Sequence, residues 1–450
     1  MAVSEEGGRA LVVGGAVRDA CLGMDPKDLD LEVYGLGPER LARCLEQAGL
    51  RIDAVGRAFG VLKVSRAGEG ALDVSLPRSD SKTGRGHRGF LVTPDPAMRL
   101  EEAAARRDFT MNAMAWDPVR GELLDPYGGV ADLERRVLRH VGPAFVEDPL
   151  RVLRGFQFAG RFDLEAAPET IELSRTLLGE AAALPVERVW EEWRKWAGRS
   201  RRPSAGLRFL AACGWVDRLP ELVALQGCSQ DPSWHPEGDV WTHTLLACDA
   251  AVKIAGREGL EENEQVVLVL AALVHDLGKP STTTRDDDGK IRSRGHAEAV
   301  ATYESLLATI ACPASLSQRV VALSRRHLDH MNLHGSKRAV RRLARFLGEH
   351  GETIAGLVRL IEADHTARPP LPGGLPKQAA SLLCLAEEVR LLDAAPRPLL
   401  LGRHLLPLGV PPGPEMGRWL AAAYDAQLDG AFEDLEGALT WMRLRLSVSD

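Results

Sequence analysis

No apolar stretch in this chain approaches the ~20 residues needed to span a bilayer, which excludes a membrane helix. The acidic start, Ser4-Glu5-Glu6, does not read as a secretory leader. Cysteines are few and scattered (Cys21, Cys44, Cys213, Cys228, Cys248, Cys312, Cys384), odd in number and without a C-x-x-C pair. That excludes a zinc knuckle and predicts reduced thiols in the cytoplasm. No internal repeat and no long disordered tail is found. Positive charge is not in excess either: 56 Lys and Arg against 63 Asp and Glu leave a net charge of −7. Net charge governs solubility and steering, not a local patch. A nucleic-acid partner is therefore not excluded, but it needs a local arginine-rich face and salt-dependent affinity.

What is present supports several domains. The 450 residues, 45% of them hydrophobic, suit two to four. Short β-like runs at 11–13, 29–33, 61–64, 72–76 and 112–116 lie between helical segments and predict a mixed head. Apolar residues at three- and four-residue spacing then predict helices over 149–162, 168–178, 186–197, 205–212, 240–255, 264–276, 297–310 and 316–326. Prolines and glycines at 368–376 mark a stiff linker, and 411–414 opens a helix running to about residue 428. The expected fold class is α+β: a mixed-sheet head at 1–138, an all-α neck and body at 139–225, an all-α domain at 226–375 and a helical C-terminal segment at 376–450.

The most informative run is Leu11-Val-Val-Gly-Gly-Ala-Val-Arg-Asp19, followed by Lys27-Asp-Leu-Asp-Leu-Glu32. It reads as strand, glycine turn, helix and second strand. Asp28 and Asp30, two apart on a strand, share a face. Paired carboxylates make a hard oxygen site suited to Mg²⁺. Gly14, Gly15 and Arg18 offer backbone N–H groups and a guanidinium to phosphate. Singly these are an ordinary turn and surface strand; together they are the parts of a nucleotidyl transferase. Asp73 either adds a third carboxylate or faces water from an edge strand. Residues 79–89 read as a glycine-rich basic loop whose Lys82, Arg85 and Arg88 suit a phosphate or primer contact.

In Glu147-Asp-Pro-Leu-Arg-Val-Leu-Arg154, Pro149 suits a first helical turn and puts Asp148 at or near the N-cap. Beyond capping, Asp148 and Arg151 share a helix face. A carboxylate accepts from an exocyclic amine while a guanidinium donates to a ring nitrogen. The pair therefore suits cytosine and adenine and repels uracil and guanine, each correct pairing being worth roughly 1–3 kcal/mol.

Further on, His243, His275-Asp276 and Asp364 follow the order H…HD…D on predicted helices. Such a His–carboxylate set binds a divalent metal and activates water for phosphoester hydrolysis. His296 and His327 lie between and are available to a second metal, although any one histidine alone reads as structural. Lys279 would meet substrate phosphate.

In this order the segments resemble the DNA polymerase beta-like nucleotidyltransferases (G-G-x-V-R-D … D-x-D). More narrowly they resemble the class II tRNA nucleotidyltransferases that add CCA, and their bacterial poly(A) polymerase relatives. Arg106-Arg-Asp-Phe-Thr-Met-Asn112 matches the family's R-R-D-x-x-x-N, 125–133 its hinge motif and 187–195 its E-R-x-x-x-E-x-x-K. The segment 235–243 has the form found in bacterial CCA-adding enzymes with a C-terminal HD domain. The resemblance implies that Asp28 and Asp30 bind Mg²⁺ and carry catalysis. It gives the triphosphate to Gly14, Gly15, Arg18, Arg107 and Arg154, and the ribose hydroxyl to Asp108. It implies a moving 79–89 loop, hinge glycines at 125–133, and a brace of Glu187, Arg188, Glu192 and Lys195. CTP, ATP and the tRNA 3′ end are the implied partners, with no membrane and no obligate protein partner. The HD domain, with a divalent metal of open identity, implies activity on 2′,3′-cyclic and nucleotide phosphates. One departure stands out: Gln157 occupies a position where the family carries arginine, which removes a charge expected near the nucleotide. A CC-only, A-only or poly(A) polymerase, or an HD phosphohydrolase with an inactive RNA-binding head, stays open. The segment at 400–430 also resembles the family but has no assigned chemistry.

Overall fold

The computed structural model describes residues 1–26, 28–53, 61–66, 70–82, 90–332 and 336–449. It divides into two compact units, Met1–Arg218 and Leu219–Asp450.

The first unit is built on a seven-stranded sheet of order β3-β4-β5-β2-β1-β8-β9. Its strands are β1 (Arg9–Val13), β2 (Asp30–Tyr34), β3 (Arg51–Asp53), β4 (Val61–Ser65), β5 (Ala71–Ser75), β8 (Ala115–Asp117) and β9 (Glu122–Leu124). β2 and β5 run parallel and the other neighbours antiparallel. Strand β1 buries Leu11 and Val13, as alternation along a strand demands. At Gly14 the chain reverses with φ 73° and ψ −128°, a region open essentially to glycine, and enters helix α1 (Gly15–Cys21). Helix α2 (Pro38–Gln47) lays Leu41, Cys44 and Leu45 on the core formed by Val33, Val64, Val74 and Leu76.

Three details differ from the sequence reading. Asp28 lies in a bend before β2, because β1 ends at Val13, opposite Asp30, and leaves Asp28 nothing to pair with. The strand expected over 112–116 starts only at Ala115, since Thr110–Asn112 form a 3-10 turn closed by Asn112 N–H on the Phe109 carbonyl. The loop expected from 79 begins as a strand, β6 (Arg78–Lys82), paired with β7 (Phe90–Pro94). Lys27, Arg85, Arg88 and the Lys82 side chain lie outside the described residues.

The neck helices form where periodicity places them: α3 (Leu150–Phe162), α4 (Pro168–Thr176), α5 (Val186–Arg199) and α6 (Pro203–Ala212). Phe156 of α3 packs against Trp193 and Trp196 of α5, with ring centroids 4.6 and 5.1 Å away.

In the second unit, α8 (Glu262–Val274) is buried on every side from Val266 onward, the signature of a central helix. Around it lie α7 (Val240–Glu258), α10 (Ala314–Arg326) and α12 (Ile354–Thr366), with α9 (Val300–Thr309) behind α10. Asp239 caps α7 by accepting the Thr242 N–H, and Thr353 caps α12 through Gly356 N–H. Helix α11 (Lys337–Glu349) follows α10, and α13 (Lys377–Glu388) follows α12. The C-terminal helices α14 (Pro414–Leu428) and α15 (Leu435–Ser449) share a separate small core with Leu400, Leu405, Phe432 and Met442. Arg338 and Arg342 of α11 pair with Asp429, and Arg345 with Asp425, so this segment has a packing role. Among the described residues no helix is long and apolar enough to cross a membrane.

Candidate active sites of the head and of the helical domain

In the first unit a cavity of about 380 Å³ is lined by Gly14, Gly15, Arg18, Asp30, Arg107, Asp108, Asn112, Asp148, Arg151, Arg154 and Arg188. Most of these side chains are engaged with the protein itself. Arg18 is buried; its Nε and Nη2 donate to Asp19 Oδ1 at 2.8 and 2.6 Å, and its Nη1 to Asn112 Oδ1 at 2.7 Å. Asp108 accepts from Phe109 N–H, Asn112 Nδ2 and Arg154 Nε at 2.8, 2.9 and 2.6 Å. Burial opposes charge on Asp108, but Arg154 and these donors outweigh it and hold the carboxyl below its usual range. Arg151 donates Nη1 to the Ala144 carbonyl at 2.5 Å and Nη2 to the Arg106 carbonyl at 2.6 Å. These groups form a fixed polar wall.

Other groups are turned to the cavity. The Arg107 side chain makes no hydrogen bond to any described residue, and its Nη1 lies where a Cβ on Gly14 would come within 2.7 Å. Asp30 is in register with Asp73 on the neighbouring parallel strand, and both are exposed. β5 lies between β4 and β2, so Asp73 is not on an edge strand. Partial burial, Asp73 and Asp28 all raise the Asp30 pKa against the pull of Arg107. This crowding of like charges is what a cation relieves. Asp28 itself is exposed and outside the cavity lining. Asp148 Oδ1 accepts the Leu150 N–H at 3.0 Å, so it does cap, one residue earlier than the formal cap Pro149.

Several expectations change. Gln157 is buried, its Nε2 has no hydrogen-bond partner among the described residues, and it does not line the cavity. It therefore removes no charge from the cavity wall. Arg188, read as a brace, lines the cavity. Lys195 pairs with Glu191 and Glu192, whereas Glu187 is exposed without an ion pair among the described residues. At 125–133 the glycines have local work: Asp125 accepts the N–H groups of Gly129 and Val130. A Cβ on Gly129 would lie 2.4 Å from the Thr110 carbonyl oxygen, so close packing requires glycine there. Asn112, which bridges Arg18 and Asp108, was missed as a site residue; its place four after Asp108 on a tight turn was the available signal.

In the second unit, α7 supplies His243, the end of α8 His275 and Asp276, a short turn His296, the end of α10 His327, and α12 Asp364. His243 Nε2 lies 3.1 Å from Asp364 Oδ1 and 3.7 Å from Asp276 Oδ2. His296 Nε2 lies 3.2 Å from Asp276 Oδ1 and 3.3 Å from His327 Nε2. Asp276 thus turns one oxygen to each of two groups, His243/His275/Asp364 and Asp276/His296/His327, whose ligand atoms lie within 4.8 Å of one another.

The histidine tautomers are set from outside. Nδ1 of His275, His296 and His327 donates to the carbonyls of Ala272, Ser293 and Ser324 at 2.9, 2.7 and 2.6 Å. A carbonyl only accepts, so each ring in its neutral form presents an Nε2 lone pair inward. His296 Nε2 lies within hydrogen-bond distance of His327 Nε2, and His275 Nε2 and Asp276 Oδ2 are buried without hydrogen-bond partners among the described residues. Lys279 Nζ stands 2.7 Å from Asp276 Oδ2, close but without hydrogen-bond geometry, and donates instead to Gln230. Such a donor set fits divalent metal. Burial opposes charge on His243, but Asp364 and Glu237 outweigh it and push its pKa up to about 9. Burial beside His275 and His296 pushes His327 down to about 3. Glu237, which accepts from Nδ1 of both His235 and His243 at 2.8 and 2.7 Å, was not singled out from sequence. Its signal was a lone carboxylate between two histidines.

Residues 10–139 match the Poly A polymerase head domain family, and residues 240–371 match the HD domain family. The Multifunctional CCA protein of Stenotrophomonas maltophilia strain R551-3 is 44% identical over 333 residues, 72% of this chain and 76% of its own length. That of Xanthomonas oryzae pv. oryzae strain MAFF 311018 is 38% identical over 434 residues, 93% of this chain and 98% of its own. The chain belongs to the multifunctional CCA protein family. This membership makes the head a nucleotidyltransferase and the helical unit an HD domain, a class of domain that uses divalent metal. The multifunctional CCA fold also has solved counterparts. A Bacillus stearothermophilus CCA-adding enzyme in complex with CTP superposes with a TM-score of 0.62 at 21% identity, over 100% of this chain and 96% of that one. A Thermotoga maritima CCA-adding enzyme complexed with tRNA gives 0.57 at 20% identity, over 99% and 93%.

Proposed function

We propose that this enzyme completes the 3′ CCA of tRNA from CTP and ATP, releasing pyrophosphate, and that its HD domain is a second, metal-dependent phosphohydrolase. The observation that carries the first part is the single cavity that gathers Gly14, Gly15, Arg18, Asp30, Arg107, Asp108, Asp148, Arg151 and Arg154. In this reading Asp28 and Asp30 hold Mg²⁺, with Asp73 beside Asp30. Mg²⁺ in that place supplies charge against the triphosphate and acidifies the primer 3′-hydroxyl. Arg107, Gly14 and Gly15 take the triphosphate, against the wall that Arg18 and Arg154 build. Asp108 keeps that wall ionised and takes a ribose hydroxyl, while Asp148 and Arg151 read the Watson–Crick edge of C and A. The tRNA acceptor end and the two nucleotides are the partners. Seven unpaired cysteines support a reducing, cytoplasmic compartment.

The proposed division is head 1–138, neck and body 139–225, HD domain 226–375 and C-terminal segment 376–450. In the HD domain, His243, His275, Asp276 and Asp364 hold one metal, and Asp276 with His296 and His327 a second. The test is extension of a tRNA lacking CCA with CTP, ATP or both, and sequencing of the products. CC from CTP followed by a single A from ATP is the expected result. A product of only C, only one A or a long A tail reassigns the head to a specialised polymerase.

A further inference from the structure

After Met1, Trp234 is the most exposed large apolar side chain among the described residues, at 66%. Its loop is nevertheless fixed. The Asp231 carbonyl accepts the N–H groups of Trp234 and His235 at 3.0 and 2.9 Å, and Asp231 Oδ1 accepts that of Ser233 at 2.9 Å. Gln230 accepts from Lys279, the cation beside Asp276, and His235 donates to Glu237, which also holds His243. The indole is thus carried on a short strut tied on both sides to the His–Asp cluster.

Trp234 and a second exposed apolar side chain, Met331, line the same cavity as Asp276, His296, His327 and Asp364. The cavity measures about 310 Å³ and also holds Lys279 and Arg368. Metal-type ligands and cations suit a phosphate. A solvated aromatic side chain carried by that backbone-anchored loop, in the same small space, suits a flat ring joined to that phosphate. An aromatic platform binds any base, because every base has a π-face.

We propose that Trp234 is the nucleobase platform of the HD cavity, which therefore selects phosphoesters of nucleosides over base-free sugar or glycerol phosphates. The selection is for the presence of a base and not for its identity. This inference rests on the phosphohydrolase reading of the HD domain.

The test uses the full-length protein in whichever of Mg²⁺, Mn²⁺, Co²⁺ or Ni²⁺ gives the fastest hydrolysis. Adenosine 3′-monophosphate is compared with glycerol 2-phosphate for wild type, Trp234→Ala and Trp234→Phe. Wild type prefers the nucleotide, and W234A lowers the ratio of the two kcat/KM values roughly 10- to 100-fold through KM. W234F keeps the ratio within about threefold, because the ring is retained. A W234A ratio equal to wild type, or a wild type that hydrolyses both equally, overturns the proposal. If wild type hydrolyses neither ester, the phosphohydrolase reading fails. The platform is then judged by calorimetry, where adenosine 3′-monophosphate binding about tenfold weaker in W234A supports it and equal Kd overturns it.

Discussion

Arg154 Nε donates to Asp108 Oδ2 at 2.6 Å, joining the first turns of the neck helix α3 to the segment that precedes β8. Removing one member of a buried pair strands the other, which costs several kcal/mol. The Arg154 side chain keeps 34% exposure, so Asp108→Ala is expected at the low end, about 3 kcal/mol at neutral pH. The pH dependence has a definite sign. The Asp108 carboxyl lies below its usual range in the folded protein. Its stabilisation is therefore complete above the unfolded value, about 3.9, and is lost as pH falls through the lower folded value. Urea unfolding of wild type and D108A from pH 7 down to pH 3 checks this: the gap in stability shrinks only in the acid range.

How much of this was legible in sequence depends on what each residue's neighbours are. The neck helices, α7 and α8 follow from apolar spacing, since one buried stripe fixes a helix whatever surrounds it. The order H…HD…D picked out four residues that the fold brings together, and the contacts Asp276 makes to both groups follow from where α8 ends. The wall of the head cavity was not legible. Arg18 and Arg154 read as cations for phosphate and Arg151 as a donor to a base edge, whereas their donors are largely engaged with Asp19, Asn112, Asp108 and two backbone carbonyls. Nothing in a linear pattern tells whether a guanidinium meets a ligand or a carbonyl 45 residues away. Gln157 shows the reverse: a missing charge that mattered on paper points into the core.

Gly14→Ala tests how closely the turn and Arg107 are coupled. At φ 73° and ψ −128° an alanine is strained by about 1–3 kcal/mol. Its Cβ also falls 2.7 Å from Arg107 Nη1. The guanidinium is the end of a flexible side chain and moves aside, so the protein folds with reduced stability but the triphosphate loses its cation. Steady-state incorporation of CTP should show a KM raised by about tenfold or more, together with a lower unfolding midpoint.

Asp148 and Arg151 are expected to fail in different ways. Asp148 makes one N-cap bond, so Asp148→Ala costs about 1 kcal/mol of stability. Its main loss is discrimination: misincorporation of U or G rises by roughly 10- to 100-fold. Arg151 ties two backbone carbonyls together. Arg151→Lys, a point charge without the planar fork, loses that bridge and lowers both stability and incorporation of C and A. Competition assays with mixed nucleotides, run beside thermal melts of both variants, separate the two residues.

The HD cluster makes a prediction about metal count. Neutral rings at His275, His296 and His327 would turn Nε2 lone pairs inward, and Asp276 Oδ2, although 2.7 Å from Lys279 Nζ, has no hydrogen-bond partner among the described residues. A divalent cation at each group would satisfy these atoms, and Asp276 offers a separate oxygen to each group. Equilibrium dialysis with Mn²⁺ should therefore find two ions in the second unit. Binding should raise its melting temperature as RT ln(1 + [M]/Kd) requires, and EDTA should reverse the rise. His327→Ala removes one ligand of the second group and none of the first, so it should lose one ion and keep the other. A double loss would mean that the two groups form one site with Asp276 at its centre. A count of one in wild type would leave His296 and His327 as a hydrogen-bonded structural pair.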